Sequence, residues 1–280
     1  MKPPSRSPLK AATTSSLRDS GLLEPLSTAF AEWGGPEIVA LAVGTGQALS
    51  LGRQGEVDVV ITHSAGWELQ FVEGGHGVNR REFMTNDFLL AGPARDRAKV
   101  SGADSVFDAL ERIFRAEATF LSRGDDSGTN LREIELWAST GLLPFGRPWY
   151  RAVTGGMVRC LEAASEQGAY TLADSATFQA QAGRLALRVV CADPRNLRNA
   201  YSVIVVNPAR HPKVNYEGGM MLVTFLTSRA GQTRIRDFRV GGHRLFQPVW
   251  DPMSDNPDAT REGQAASADP AKGDRFGLVR

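Results

Sequence analysis

The sequence is poor in cysteine, in histidine and in net charge. Two cysteines and four histidines in 280 residues exclude a disulfide-rich scaffold and a four-thiolate zinc site, and the histidines lack metal-ligand spacing. Lysine and arginine total 32 against 31 for aspartate and glutamate, so no overall field draws the chain to nucleic acid or anionic lipid. No apolar run approaches the ~18 residues of a membrane-spanning helix.

What is present is an ordinary globular composition with unusual ends. Hydrophobic residues make up 42% and charged residues 22%, and the length is compatible with two domains. Residues 1–11 are basic and proline-rich, like the start of a secretion signal, but no apolar segment follows them. Residues 251–280 are rich in Asp, Ala, Gly and Pro. We predict that both ends are disordered. The sequence does not decide whether the protein is exported or stays inside the cell.

Between these ends, short β-branched runs alternate with stretches of helical spacing. Alternation of this kind indicates an α/β sheet, whose ligand site lies beyond the carboxyl ends of the strands. The predicted strands are 38–43, 57–61, 88–91, 118–121, 185–190 and 203–206. The predicted helices lie around 22–30, 106–114, 131–138, 157–164 and 221–226.

Small hydroxyl residues and glycines gather at three strand-to-helix junctions, which are residues 13–16, 43–47 and 122–129. A helix start exposes unpaired N–H groups and the positive end of its dipole, and glycine lets the backbone approach a bound anion. Arg123 adds one cation with forked donors. Together the junctions predict an anion cradle built mostly of neutral dipoles.

Each junction also has a plainer interpretation. Residues 13–16 could be an ordinary helix cap, and Asp125 beside Arg123 could be a simple ion pair. Residues 43–47 match half of a dinucleotide fingerprint, without the later glycine and acidic residue in register. Residues 124–128 look like a protease nucleophile loop with one aspartate too many. We find no nucleophile–base pair, metal motif or paired carboxylates, so we do not expect an enzyme.

Taken in order, several segments resemble the substrate-binding component of tungstate ABC transporters. They are residues 13–22, 42–48, 57–64, 122–129 and 169–174, continued by 205–208, 211–212 and 246–248. The similarity runs over about residues 11–250. The segment 122–129 is the most telling, and it is also similar to the phosphate loop of phosphate-binding relatives.

The resemblance implies a two-lobed α/β type II periplasmic-binding-protein fold with a two-stranded hinge. Lobe one would comprise 12–91 and 204–250, lobe two 92–203, with crossovers near 88–93 and 197–206. The oxyanion would be held by residues of both lobes, namely Thr13, Thr14, Ser15, Thr45, Ser64, Arg123, Ser127, Gly128, Thr129 and Tyr170.

The function implied is capture of a tetrahedral oxyanion, tungstate or molybdate, and its delivery to a permease and its ATPase. By resemblance the protein is a periplasmic or extracellular monomer without cofactor or metal, meeting the membrane only through the permease. An intracellular oxyanion sensor and a phosphate binder stay open as alternatives. An Asp125 facing the ligand would favour hydrogen phosphate, so binding of tungstate requires that Asp125 point away, onto Arg123 or a helix N-terminus.

The sequence departs from the family at several positions. Ser15 and Leu17 stand in the first loop where the family has Thr and a polar residue, and Asn130 stands where His is common. The first strand, residues 8–12, looks short. These departures bear on ligand identity and export more than on the fold.

Overall fold

The computed structural model of the protein describes residues 7–250. It confirms an α/β chain in two lobes. The first lobe is built on a mixed sheet with the strand order β12-β4-β9-β3-β1-β2, in which β1 runs parallel to β2 and β3. Its strands are β1 (Leu9–Thr14), β2 (Ile38–Val43), β3 (Val59–Thr62), β4 (Gly77–Pro93), β9 (Arg198–Val206) and β12 (Gln247–Pro248).

Helices cover the first-lobe sheet because their apolar positions recur on one face. Leu23, Leu26 and Phe30 are buried at helical spacing, and the Phe30 ring packs 5.5 Å from that of Phe225. The helices of this lobe are α1 (Ser15–Asp19), α2 (Leu23–Glu32), α3 (Thr45–Gln54), α4 (Ala65–Glu73), α9 (Tyr216–Thr227) and α10 (Arg229–Asp237). A small hairpin, β10 (Arg239–Val240) with β11 (His243–Arg244), follows them.

The second lobe has its own core, in which Phe120, Trp137 and Leu172 are fully buried or nearly so. Its strands are β5 (Phe120–Ser122), β6 (Tyr150–Ala152), β7 (Thr171–Asp174) and β8 (Leu187–Cys191). Its helices are α5 (Val106–Arg115), α6 (Gly128–Thr140), α7 (Gly156–Gln167) and α8 (Ser175–Gln181). Ser105 caps α5 and Ser127 caps α6 with their side chains.

The two lobes are joined by β4 and β9. The 17 residues of β4 pair with β9 as far as Asp87, which lies opposite Arg198, and from Phe88 onward they pair with β7 and β8. The expected two-stranded connection is confirmed. The lobe bounds predicted from the sequence, 91/92 and 203/204, lie a few residues beyond this change of partner on both strands.

At the amino end, the prediction that residues 1–11 are disordered is wrong for its last part. Leu9 opens β1, is fully buried and lies opposite Ile38, because its side chain completes the core under the sheet. The strand also runs on to Thr14, beyond the predicted 8–12. Residues 1–6 and 251–280 lie outside the described residues. Over 7–250, no helix combines the length and apolar character needed to cross a bilayer.

Candidate functional site

Three helix starts meet at one edge of the first-lobe sheet. The strands β1, β2 and β3 lie side by side and run parallel, with Thr14 opposite Val43 and Thr13 opposite Ile61. Each strand is followed within a few residues by a helix, so α1, α3 and α4 begin at the same edge. The first N–H groups of a helix have no partner inside it, so this edge presents backbone donors.

Two hydroxyls at this edge are buried without partners. Thr13 and Thr45 are both fully buried, and neither Oγ1 has a hydrogen-bond partner within the described chain. A buried hydroxyl without a partner costs on the order of 1–3 kcal/mol, so native proteins retain few of them. Both are therefore free donors, as the sequence analysis expects of anion-binding residues.

The loop of residues 13–16 carries a second set of hydroxyls. The Oγ1 atom of Thr14 lies 3.0 Å from Oγ of Ser16, and Ser16 Oγ lies 3.2 Å from Nε2 of His63. Ser15 is half-buried at the first position of α1. Thr14 and Ser15 are predicted site residues, whereas Ser16 and His63 are not, although both lie inside segments that carry the resemblance.

Ser64 is buried beside His63, but its peptide N–H is already used. It donates to Oε1 of Glu68 at 2.9 Å, and the same carboxylate accepts from the Thr62 hydroxyl and pairs with Arg80. A buried carboxylate needs such partners, so this cluster stabilises the start of α4. Of the polar groups of Ser64, only the hydroxyl is left for a ligand.

The second lobe contributes the loop of residues 122–129. Arg123 is buried, and its Nε and Nη2 both donate to Oδ2 of Asp125, at 3.0 and 2.6 Å. The other carboxylate oxygen accepts from the peptide N–H of Ser127 at 3.2 Å. Asp125 thus points at Arg123 and the start of α6, which is the orientation that tungstate binding requires.

The start of α6 faces the first lobe. Ser127 caps the helix by accepting from the N–H of Asn130, which leaves the N–H groups of Gly128 and Thr129 without intrahelical partners. A Cβ added at Gly128 would lie 2.4 Å from Cε1 of His63, so the lobes are in close contact there. Asn130, one of the departures, braces the loop by donating to Ser122 Oγ at 3.1 Å.

The start of α3 faces the same loop. A Cβ added at Gly44 would lie 3.8 Å from the carbonyl oxygen of Asp125, and one added at Gly46 would lie 3.8 Å from Cβ of Asp126. The structure therefore brings the three predicted junctions, 13–16, 43–47 and 122–129, to one interlobe cleft.

Tyr170 is a predicted site residue that the structure places elsewhere. It precedes β7, and its hydroxyl donates to Asp96 Oδ1 at 2.9 Å and accepts from the Ala98 N–H at 3.1 Å. Its ring belongs to the second-lobe core. Tyr170 pairs with Phe120 at the start of β5, whereas the cleft lies at the other end of that strand, beyond Ser122. The prediction for Tyr170 is therefore wrong.

His63 and Arg123 bring little net positive charge to the cleft. Burial lowers the pKa of His63 to about 4; the Asp174 carboxylate and the hydrogen bond to Asn199 oppose this shift, and the Arg123 cation adds to it. The imidazole is therefore neutral near pH 7, and Arg123 is paired with Asp125. Among residues 7–250, no group of three or more His, Cys, Asp or Glu could hold a metal ion.

Comparison with known proteins defines the class. A family model described as the PBP superfamily domain matches residues 2–230. The tungstate-binding protein TupA of Peptoclostridium acidaminophilum is 39% identical over 243 residues, which are 86% of this chain and 84% of that protein.

Solved structures agree. The tungstate-binding protein TupA from Desulfovibrio alaskensis superposes with a TM-score of 0.76 at 38% identity, covering 86% of this chain and 98% of that one. The tungstate ABC transporter protein from Geobacter sulfurreducens gives 0.74 at 40% identity, covering 83% and 99%. The chain belongs to the PBP superfamily and, within it, to the family of the tungstate-binding proteins of ABC transporters.

Proposed function

We propose that this protein is the oxyanion-binding component of an ABC transporter. The observation that carries the proposal is the pair of fully buried hydroxyls without partners, Thr13 near the end of β1 and Thr45 at the start of α3, which faces the Arg123 loop of the other lobe. An oxyanion in the cleft accepts hydrogen bonds from these hydroxyls, which replace the bonds that water donates to it in solution. Donors already fixed by the fold lower the cost of ordering the site on binding.

The ligand is tungstate or molybdate, a fully ionised tetrahedral dianion. Neutral N–H and O–H donors suit such an ion, and both oxygens of Asp125 are taken up by Arg123 and Ser127. The relatives named above as tungstate-binding support this ligand class. Hydrogen phosphate is the second candidate, because Oδ2 of Asp174 is buried without a partner within the described chain and could accept a hydrogen bond from the O–H of a protonated oxyanion.

The partners follow from the same relatives. The captured anion passes to a permease driven by its ATPase, on the periplasmic or extracellular side of the membrane. A monomer suffices, because both lobes of the cleft come from one chain. The lobes correspond to the two sheets joined by β4 and β9, with the anion closed between them.

A thermal-shift panel with dialysed protein tests this function. Tungstate, molybdate, sulfate and phosphate are compared on the wild type, on Arg123→Ala and on Arg112→Ala. Arg112 is the control, because it also donates through Nε and Nη2 to an aspartate, Asp108 on α5 of the same lobe, although it is more exposed than Arg123. At a thousandfold excess over Kd, a ligand that binds only the native state adds about 4 kcal/mol of stability.

We expect tungstate and molybdate to raise the melting temperature of the wild type and of Arg112→Ala, and to raise that of Arg123→Ala far less. A response to phosphate alone would favour the second candidate. No response of the wild type to any of the oxyanions would contradict the proposal. Collapse of Arg123→Ala without ligand would show that Arg123 is structural.

A further inference from the structure

The ring of His63 occupies a junction between the lobes that anion binding alone does not explain. His63 follows β3 and is buried, with its Nε2 near Ser16 of the hydroxyl loop and its Nδ1 2.9 Å from Oδ1 of Asn199 on β9. The Tyr201 ring stacks on the His63 ring, with the two ring centroids 4.7 Å apart. The His63 side chain thus touches both Ser16 of the first lobe and β9, one of the two strands that connect the lobes.

The hydrogen bonds fix the tautomer of His63. Nδ2 of Asn199 donates to Oδ1 of Asn86 at 2.7 Å, so Oδ1 of Asn199 faces His63 and accepts. The proton of the neutral imidazole therefore sits on Nδ1, and Nε2 accepts from the hydroxyl of Ser16. Ser16 thus gives its only proton to His63 and keeps none for an anion, so the ring fixes Ser16 in place and Asn199 on β9 fixes the ring.

The second lobe touches the same ring. A Cβ at Gly128 would lie 2.4 Å from Cε1, 2.7 Å from Nδ1 and 2.8 Å from Nε2. Real Cβ atoms are not found this close to other heavy atoms, so only glycine fits at position 128 when the lobes are together. This contact lets the free N–H groups at the start of α6 come up to the cleft.

On the basis of the proposed function, we propose that His63 is a positioning residue that couples anion capture to lobe closure. Its ring is held in the first lobe by Ser16 and Asn199, and it provides the surface that Gly128, at the free N–H groups of α6, meets when the lobes close. Two charged groups of the second lobe act on the ring, Asp174 at the end of β7 and Arg123 after β5, and their effects on it are opposite. Burial outweighs both effects and lowers the pKa of His63, so the ring is neutral near pH 7.

The test is a double-mutant cycle on Gly128 and His63, with tungstate affinity measured by calorimetry. Gly128→Ala places a methyl group where the ring lies, and overpacking of this kind lowers affinity about tenfold or more. His63→Ala removes the ring and the obstruction. In that background, adding Gly128→Ala is expected to change affinity by less than about twofold, because the two effects are coupled.

Gly66→Ala is the matched control. Gly66 lies in the first turn of α4, and a Cβ there would meet only Oε1 of Glu135 at 3.7 Å, an ordinary contact. We expect this variant to bind tungstate as the wild type does. Solution scattering adds a readout of shape: tungstate should compact the wild type and Gly66→Ala, and compact Gly128→Ala much less. Without ligand, Gly128→Ala should melt like the wild type, because open lobes relieve the clash.

The outcomes separate the coupling from the proposed function. If the wild type binds no tungstate, the proposed function fails. If the wild type binds tungstate and Gly128→Ala binds it equally well, the coupling is refuted. It is also refuted if Gly128→Ala lowers tungstate affinity by the same factor in the wild-type and His63→Ala backgrounds. An affinity loss in Gly128→Ala that disappears in the His63→Ala background, together with lost compaction, supports it.

Discussion

The buried imidazole of His63 makes the stability of the folded protein depend on pH, in a direction that can be worked out. Burial lowers its pKa from 6.5 to about 4. Above pH 6.5 the group is neutral in both states, and its contribution to stability is fully present. As the pH falls towards 4, the unfolded chain binds a proton that the folded chain does not, so this stability is lost.

The size of the effect follows from the difference between the two pKa values. At about 1.4 kcal/mol per pKa unit, this pKa difference corresponds to a loss of about 3 kcal/mol of unfolding free energy between pH 7 and pH 4. The assay is urea unfolding of the wild type and His63→Gln at several pH values, which gives the free energy of unfolding of each. Glutamine does not titrate, so the variant is expected to lose about 3 kcal/mol less over this interval.

The comparison depends on the pH slope rather than on absolute stability. Glutamine alters the bonds to Ser16 and Asn199, so the variant is expected to be less stable than the wild type at pH 7. All other titrating groups are shared, so they cancel in the difference between the two slopes. Equal slopes in both proteins would refute a neutral, buried His63 in the folded state.

Three further predictions concern other buried groups. Burial raises the pKa of Glu133 from 4.5 to about 7. The stability that this carboxyl group contributes is therefore full below pH 4.5 and is lost as the pH rises to 7. Over that range Glu133→Gln should lose less unfolding free energy than the wild type, as measured by urea unfolding. Tyr170→Phe should lose about 1 kcal/mol of stability and leave tungstate affinity unchanged in calorimetry; weaker binding would return Tyr170 to the site. Arg80→Ala leaves the Glu68 carboxylate buried without its cation and should cost about 3–5 kcal/mol of unfolding free energy. A loss below about 1 kcal/mol would show that the pair does not stabilise the start of α4.

Elements with apolar runs could be predicted from the sequence, and polar ones could not. The run of residues 38–43 is β2 as predicted, and the helical spacing around 106–114 is α5. The first part of β4, Gly77 to Asp87, was not predicted, because GVNRREFMTND contains no apolar run. It forms a strand through backbone pairing with β9, more than a hundred residues later in the chain.

The candidate site divides in the same way. Hydroxyls and glycines at helix starts have a local signal, and the structure brings the three junctions together. His63 lacks such a signal, because its burial depends on Asn199 and Gly128, which are distant in sequence. The prediction for Tyr170 failed because this residue precedes the start of β7, whereas the cleft lies at the end of that strand, where Asp174 is.

Tungstate binding by this chain is tested by counting the tungsten atoms bound per chain. Purified protein is brought to equilibrium by dialysis against tungstate, alone and with a large excess of sulfate or phosphate, and the bound metal is measured by elemental analysis. We predict one tungsten per chain, retained against both competitors and displaced by molybdate. No bound tungsten, or tungsten displaced by phosphate, would contradict a tungstate-selective site.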